Sequence, residues 1–442
     1  MRRTRLNSTF IRAMRRAVPT FLYVFGIALF STSAFSQGDG GLVTRGAYLA
    51  KAGDCIACHS APGGKPFAGG LPMATPMGRI YSTNITPDAK HGIGTYSEAD
   101  FIRAVREGVA KDGHNLYPAM PYPSYAKVGD ADMKALYAYF MRGVAPVAQP
   151  NIVSNIPWPL NMRWPLKFWN MVFLDNKPYE SRPDKDASWN RGAYLVQGLG
   201  HCGACHTPRG IAFQEKASDD GGHAFLSGAA VDNWFASNLT GNTNTGLGRW
   251  SEEDLSVFLR TGANAHATAF GSMTDVINNS TQALNDVDSR AIAHYIKSLP
   301  AARAEEGPPW KPYKPDATDL KNTAGLLRRP AGHPGATIYT TYCLHCHGAD
   351  GRGAAPWLAP LAGNPNVLEP NPLSLINVTL NGTGPLMIGG LQAAYPMPLY
   401  HPVLDDQQIA DVLTFVRGNW NNRAPAVDAA EVTKLRKATA QP

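Results

Sequence analysis

Residues 53–59 read GDCIACH, and the same pattern of two cysteines and a histidine returns as CGACH at 202–206 and CLHCH at 343–347. These three motifs contain all 6 cysteines of the 442-residue chain. On a helical turn, positions i, i+3 and i+4 share a face, so two thiols can each form a thioether with a vinyl group of haem while the histidine lies beneath the iron. The sequence therefore predicts three covalently bound haem c groups.

Other uses of the cysteines fit the pattern less well. A zinc ribbon pairs two CxxC units on one metal, whereas these motifs lie more than 130 residues apart. A thioredoxin-like redox pair needs one CxxC in a βαβ setting. Disulfides of four-residue span would be strained and would leave three histidines unused. The predicted thioether cysteines are Cys55, Cys58, Cys202, Cys205, Cys343 and Cys346, and the predicted proximal iron ligands are His59, His206 and His347.

Residues 1–36 have the pattern of a secretory signal peptide. Six arginines precede the apolar run 21–30, and Ala34 and Ser36 are placed for cleavage before Gln37. An uncleaved membrane anchor is the alternative, although the apolar run is shorter than the ~20 residues of a spanning helix. The leader holds six of the formal +7 charges, so the mature chain carries +1 and nucleic acid is not an expected partner.

An internal repeat supports a duplicated haem unit. RGAYL occurs at 45–49 and at 191–195, and residues 82–109 match residues 237–263. Each unit ends in a stretch with helical apolar periodicity, at 130–143, 288–300 and 405–419. The residues on the apolar faces of these helices are Leu136, Tyr139 and Phe140, then Ile292, Tyr295 and Ile296, then Val412, Phe415 and Val416.

These features predict a mainly α chain with long Gly- and Pro-rich loops. The predicted segments are the signal peptide 1–36, a first haem unit 37–150, an aromatic-rich linker 151–188, a second haem unit 189–303, a linker 304–332, a third haem unit 333–425 and a C-terminal tail 426–442. The linker 151–188 carries Trp158, Trp164, Phe168, Trp169 and Phe173. Its aromatic side chains are either buried between domains or form a surface for a partner or a membrane interface.

Methionines before the closing helices are candidates for the sixth ligand of each iron. Met120 lies 61 residues after His59 in LYPAMPYPSY, and Met397 lies 50 residues after His347 in AYPMPLY. Met273 is the only methionine between His206 and Cys343. Proline fixes φ, so the loops of Met120 and Met397 have less backbone freedom to lose. We predict Met120, Met273 and Met397 as axial ligands, because thioether ligation favours electron transfer.

Other residues compete for the same roles. The rival ligands in the first unit are Met73, Met77, Met133 and Met141, those in the second are His223, His266 and His294, and the rival in the third is Met387. Met133 and Met141 fall on a closing helix, where methionine is most often part of the core.

Long strings of this sequence resemble the three-haem cytochrome c subunits of bacterial membrane-bound dehydrogenases. They are GDCIACHSAPGGKPFAGG (53–70), IYSTNITPD (80–88), DGHNLYPAMPYPSY (112–125), MRWPLKFWN (162–170), WNRGAYLVQGLGHCGACHTPRG (189–210) and IADVLTFVRGNW (409–420). The resemblance implies three tandem class I cytochrome c-like domains, in which the first and last helices cross. It also implies a chain on the periplasmic side of the inner membrane, peripherally attached to the membrane surface.

In that family the cytochrome accepts electrons from a catalytic dehydrogenase subunit and passes them to ubiquinone or another respiratory acceptor, such as a downstream cytochrome. The resemblance implies a flavoprotein partner of the gluconate, sorbitol or glucose dehydrogenase kind, or alternatively an alcohol dehydrogenase that contains pyrroloquinoline quinone (PQQ). The chain has no tryptophan-docking repeat of a quinoprotein propeller, so we expect no catalytic residues and no substrate oxidation by the chain itself. A multihaem peroxidase or reductase and a free periplasmic carrier are the competing functions.

Overall fold

The computed structural model describes residues 33–304, 307–314 and 334–440, with side chains from position 40 onward. Most of the predicted signal peptide and most of the predicted linker 304–332 lie outside the described residues. The elements of the first unit are α1 (Ser33–Ala52), α2 (Cys55–Cys58), β1 (Pro72–Thr75), β2 (Gly78–Tyr81), α3 (Glu98–Glu107), α4 (Tyr122–Tyr125) and α5 (Asp130–Arg142). A short helix, α6 (Pro165–Phe173), follows in the linker.

The second and third units are also mainly helical. The second contains α7 (Ala187–Tyr194) with a π-helical continuation (Leu195–Leu199), α8 (Gly203–His206), β3 (Ala229–Val231), β4 (Trp234–Ala236), α9 (Glu252–Thr261), α10 (Ser272–Asn279), a 3-10 turn (Thr281–Ala283) and α11 (Asp286–Lys297). The third contains α12 (Pro334–Tyr342), α13 (Leu344–His347), α14 (Pro365–Leu368), α15 (Leu373–Asn381), β5 (Leu386–Ile388), β6 (Leu391–Ala394), α16 (Asp406–Gly418) and α17 (Ala429–Thr439). Each unit holds one antiparallel hairpin, which in the third follows α15.

The repeated sequence before α3 and α9 forms the same helix cap twice. Ser97 accepts a hydrogen bond from the amide of Asp100, whose carboxylate accepts from the amide of Ser97, and α3 ends at Gly108 with φ 64°. Ser251 and Asp254 form the equivalent capping box on α9. Such boxes satisfy amide groups that the first helical turn leaves unpaired. The duplicated sequence therefore encodes a duplicated local structure.

A glycine lets the first and last helices of each unit cross closely. A Cβ at Gly46 would lie 2.0 Å from the carbonyl oxygen of Ala135, and one at Gly192 would lie 2.0 Å from that of Ala291. Gly335 approaches the carbonyl oxygen of Asp411 in the same way, at 2.1 Å. The expected helix crossing is thus present in all three units, and the fold prediction of tandem cytochrome c-like units is confirmed.

The first and second units share one hydrophobic core. It includes Leu49, Leu136 and Phe140 from the first unit and Leu195, Ile292 and Tyr295 from the second. Above this core, Asp132 of α5 accepts a hydrogen bond from Arg45 of its own unit (2.8 Å) and one from the Tyr194 hydroxyl of the second unit (2.6 Å).

The second unit makes the equivalent contact with the first through an aspartate of its own closing helix. Asp288 of α11 accepts from the Arg191 guanidinium of its own unit at 2.7 Å and from the Tyr48 hydroxyl of the first unit at 2.6 Å. The arginine and the tyrosine come from the two copies of RGAYL. In each copy, the arginine therefore binds within its unit and the tyrosine binds across to the other unit.

The second and third units meet through polar groups and a small apolar cluster. Asn278 accepts from the amide of Met387 (2.8 Å) and donates to the carbonyl of Pro385 (3.0 Å). Ser374 accepts from the amide of Phe235 (2.8 Å) and donates to its carbonyl (3.0 Å). A small apolar cluster of Ala269, Ile277, Leu386 and Ala394 accompanies these bonds.

The predicted tail and linker differ in how they pack. Val432 and Leu435 of α17 are buried in the core of the third unit, so the apolar side chains of the tail are used inside that unit. In the linker, Trp169 is half-buried, whereas Trp158 and Phe168 are exposed. Burial between domains therefore does not account for the aromatic linker as a whole.

Candidate haem sites

The three CxxCH motifs have the same local structure. Each lies on a short helical turn, formed by α2, α8 or α13. All six cysteines are within the described residues, and none of them forms a disulfide. In every motif the first cysteine is half-buried and the second is exposed, so one thiol faces the protein and the other faces outward. This arrangement suits attachment to two edges of one porphyrin.

The histidine of each motif is held by a backbone carbonyl. The Nδ1 atom of His59 lies 2.7 Å from the oxygen of Thr83, that of His206 lies 2.7 Å from the oxygen of Ser237, and that of His347 lies 2.9 Å from the oxygen of Ala359. Because a carbonyl only accepts, Nδ1 must carry the proton and Nε2 keeps its lone pair. Burial lowers the pKa of all three imidazoles, which favours this neutral form. The donor set fits haem iron.

A glycine amide fixes the other side of each histidine. The amides of Gly69, Gly228 and Gly353 donate to the carbonyls of the three motif histidines, at 2.7, 2.8 and 2.9 Å. All three glycines have positive φ, of 73°, 90° and 61°. They lie 10, 22 and 6 residues after their histidines, so no constant spacing marks them in the sequence. Sequence reasoning missed these supports for that reason.

Met120 lies in a tightly braced loop. Its amide donates to the carbonyl of Tyr117 (3.2 Å), and its carbonyl accepts from the amide of Tyr122 (2.8 Å). The side chain is half-buried against the shared core, which also contacts Cys55. Tyr117 is itself buried and donates through its hydroxyl to the carbonyl of Leu160 (3.1 Å). The loop is therefore braced from the linker as well as by its prolines.

Met397 and Met273 are held differently. The amide of Met397 donates to the Thr383 hydroxyl (2.8 Å), and its carbonyl accepts from the Thr383 amide (3.0 Å). Met273 is the second residue of α10, and its half-buried side chain packs with Ile277 and Leu386 at the border of the third unit. The three methionines thus lie before their closing helices, and their roles as iron ligands stay predictions.

Most rival ligands have other partners. His266 stacks on Trp250 (ring centroids 5.2 Å apart), and His294 contacts the carboxylates of Glu252 and Asp186 at 2.9 and 3.2 Å. Met133 is fully buried in the shared core. Met73 and Met77 pack in a small cluster around Tyr117, and Met387 is part of β5.

Two titratable residues, one buried and one half-buried, directly precede the first cysteines of the first two motifs. Asp54 and His201 both adopt positive φ, at 51° and 38°. Burial, together with the Asp275 carboxylate, raises the pKa of Asp54 to about 8, and burial lowers the pKa of His201. In both cases burial favours the uncharged form of the side chain beside the attachment site. The two repeats place these residues at equivalent positions in the sequence. The extent of their burial could not be predicted from the sequence.

Comparisons with known proteins agree with this geometry. A family model described as Cytochrome c matches residues 43–143 and 333–420. The chain is 53% identical over 420 residues to the gluconate 2-dehydrogenase cytochrome c subunit of Pantoea cypripedii, with 94% of each chain covered. The chain belongs to this family of cytochrome c subunits.

Other relatives of the cytochrome c subunit serve different dehydrogenases. It is 49% identical over 438 residues to the cytochrome c subunit of a quinone alcohol dehydrogenase from Gluconacetobacter polyoxogenes, which covers 98% of this chain and 90% of that one. It is 38% identical over 410 residues to the fructose dehydrogenase cytochrome subunit of Gluconobacter japonicus, with 89% and 82% covered. The cytochrome c subunit therefore binds haem c covalently and transfers electrons for a catalytic dehydrogenase, and it is not itself the catalytic subunit.

Proposed function

We propose that this cytochrome c subunit carries three haem c groups and passes electrons from a periplasm-facing dehydrogenase to ubiquinone or another respiratory acceptor. The main support is the threefold repetition of one proximal arrangement, in which a carbonyl holds Nδ1 and a glycine amide holds the histidine carbonyl. A multihaem peroxidase or reductase needs one haem with an open sixth position. Three sites built alike favour electron transfer instead.

The chain's residues prepare each site for a redox cycle. When bound, haem c supplies a one-electron iron couple. The cysteines prevent the group from dissociating, and the fixed imidazole leaves Nε2 directed away from its carbonyl partner. Met120, Met273 and Met397 are the proposed sixth ligands; a neutral thioether favours ferrous iron and raises the potential. Rigid ligand loops limit reorganisation when the charge on iron changes.

The first two attachment sites are neighbours. Tyr125 contacts the segments before both motifs: its hydroxyl donates to the carbonyl of Gly53 at 3.1 Å, and its ring packs against that of His201, with centroids 5.5 Å apart. A Cβ at Gly53, beside the first motif, would lie 3.1 Å from Leu199, which precedes the second motif. This proximity supports direct electron exchange between the first and second haem groups.

The proposed partner is a flavoprotein dehydrogenase of the gluconate kind, supported by the 53% identity to a gluconate 2-dehydrogenase cytochrome c subunit. An alcohol dehydrogenase containing PQQ is the second candidate, supported by the 49% identity to a subunit of such a quinone enzyme. Either partner would place the chain at the periplasmic face of the inner membrane, as a peripheral subunit.

The test is Met120→Ala in the purified, haem-loaded chain. We expect a haemochrome assay to find three haems per chain in both proteins. In the variant, one of the three reduction potentials should fall, and carbon monoxide should bind that ferrous haem, because the thioether no longer fills the sixth position. The measurements are a spectroelectrochemical titration and carbon monoxide difference spectra.

Met77→Ala is the matched control, because Met77 is a half-buried methionine of the same unit that packs around Tyr117 instead. It should leave all three potentials unchanged. Equal effects of the two variants would contradict the ligand assignment. Rapid stoichiometric carbon monoxide binding to the unmodified protein would contradict the electron-transfer proposal and favour a haem enzyme.

A further inference from the structure

The linker helix α6 presents an apolar stripe to solvent. Trp164 directly precedes the helix, and Phe168, Met171 and Val172 follow at helical spacing, so these four side chains lie along one face. Their exposed fractions are 63%, 55%, 75% and 68%. The rings of Trp164 and Phe168 are in contact, with centroids 6.1 Å apart. We call these four residues the α6 stripe.

The opposite face of α6 is fixed to the protein by polar bonds. The Trp169 indole donates to the carbonyl of Ala212 (2.8 Å). Asn170 accepts from the Tyr122 hydroxyl (2.6 Å) and donates to the carbonyl of Glu107 (3.0 Å). These bonds hold one face of α6 against the protein and leave its apolar face toward solvent. A surface helix usually has the opposite orientation.

Exposed apolar residues are normal when they are scattered, but a contiguous set marks an interaction surface. Trp158, in the turn before α6, is also 78% exposed. None of the residues that the structure describes covers the α6 stripe. Burial of these exposed apolar side chains against another surface would be favourable.

The charges around the stripe complement an anionic surface. Residues 156–177 have a net charge of +2, from Arg163, Lys167 and Lys177 against one acid, Asp175. The Arg163 guanidinium stacks on the Tyr117 ring, so Lys167 and Lys177 are the exposed basic side chains. Lys167 is exposed and lies between the stripe residues along the helix. Exposed tryptophan and phenylalanine with a basic flank are typical of helices that lie in the headgroup region of a bilayer. Within the described parts of the chain, no helix is long and apolar enough to cross a membrane.

We propose that the α6 stripe docks the protein on the surface of a bilayer that contains anionic lipid. This inference rests on the proposed function, and it names the surface by which the subunit meets the membrane. A lipid headgroup region accepts projecting side chains without matched pockets, which a partner protein would have to provide. Because the linker also braces the Met120 loop through Tyr117 and Tyr122, docking would place the first haem site at the bilayer.

The experiment is flotation of the mature, haem-loaded chain with vesicles of phosphatidylglycerol and phosphatidylethanolamine, compared with vesicles of phosphatidylcholine alone. The test variant is Trp164→Ser/Phe168→Ser/Met171→Ser. We expect the unmodified protein to bind the anionic vesicles and the variant to lose roughly tenfold in binding. Lys167→Glu should weaken binding to anionic vesicles and leave binding to phosphatidylcholine unchanged.

The matched control is Val287→Ser/Leu391→Ser, which removes two apolar side chains that are 73% and 76% exposed outside the linker. It should bind vesicles like the unmodified protein. Equal binding by the triple variant and the unmodified protein would overturn the proposal. So would a triple variant whose only defect is weaker co-purification with the catalytic subunit, since that result would make the stripe a protein interface.

Haem content and reduction potentials of the same samples, measured without lipid, separate this proposal from the proposed function. Normal haem content and potentials with no vesicle binding by the unmodified protein would overturn only the docking surface. Abnormal haem content or potentials in the unmodified protein would contradict the electron-transfer proposal.

Discussion

The two junctions between haem units are built from different interactions. The first and second units share one apolar core, and two buried aspartates each bind an arginine of their own unit and a tyrosine of the other. The second and third units meet through amide and hydroxyl side chains that bind backbone groups, and through an ion pair between Arg303 and the buried carboxylate of Glu369 at 2.5 Å. A shared core cannot be divided without exposing apolar surface, whereas polar bonds can be exchanged for water.

This difference indicates two levels of cooperativity. The first two units should fold and unfold together, because neither closes its core alone. The third unit has its own core, which includes Tyr339, Phe415 and Trp420, and it should unfold separately. For electron transfer, the first junction then keeps two attachment sites in a constant relation, and the second joins a more independent site to them.

The largest expected effect is that of Asp288→Ala. The carboxylate is 5% exposed and binds both Arg191 and Tyr48, so its removal leaves a guanidinium and a hydroxyl without their partner. Breaking a buried ion pair in this way costs about 3–5 kcal/mol. In calorimetry of the haem-loaded chain, the joint transition of the first two units should move to lower temperature, and that of the third unit should stay in place.

Asp406→Ala is the control for this variant. Asp406 also pairs with an arginine, Arg436 at 2.7 Å, but within the third unit and with both side chains more than a quarter exposed. Its loss should reduce the free energy of unfolding of the third unit alone, by about 1 kcal/mol or less. Only the transition of the third unit should then move to lower temperature. If Asp288→Ala moved both transitions equally, the two-level account would be wrong.

Much of the fold could be predicted because it is encoded locally. The haem motifs, the repeat and the three closing helices depend on short-range spacing, and the predicted apolar residues Leu136, Ile292 and Phe415 are indeed buried. The crossing glycines Gly46 and Gly192 lie within the recognisable RGAYL repeat. Local patterns of this kind can be recognised in a single sequence.

The junctions and the proximal supports could not be predicted in the same way. The two RGAYL copies are identical. Nothing in them indicates that the arginine binds within its own unit and the tyrosine binds to the other unit. The amides of Gly69, Gly228 and Gly353 reach their histidines over loops of unequal length, so no periodicity identifies them. Such contacts depend on how distant segments meet, which spacing alone does not reveal.

A smaller effect is expected for Tyr48→Phe/Tyr194→Phe. Each substitution removes one hydrogen bond to a buried carboxylate, while the arginines keep both aspartates paired. A hydrogen bond to a charged group contributes about 1.5–3 kcal/mol. The pair should therefore destabilise the joint unit by about 3 kcal/mol, twice the lower end of that range, because both carboxylates keep their arginine partners. The measurement is guanidinium unfolding followed at the first transition.

Tyr137→Phe provides the comparison for the tyrosine pair. Its hydroxyl donates to the carbonyl of Tyr96 within the first unit, at 3.0 Å, so only a bond to a neutral acceptor is lost. It should cost about 0.5–1.5 kcal/mol. A tyrosine pair no more destabilising than this single variant would show that the reciprocal contacts add little to the shared core.

The smallest effect expected at either junction is that of Asn278→Ala, at the second. The variant removes the bond from the Met387 amide and the bond to the Pro385 carbonyl, both at a half-buried position that water can reach once the amide is gone. We expect a loss of about 1 kcal/mol, which corresponds to roughly fivefold faster hydrogen exchange at the Met387 amide. Amides of α7 and α11, which belong to the shared core, should exchange at unchanged rates. Faster exchange in those helices would mean that the second junction supports the first, and that the three units form one cooperative structure.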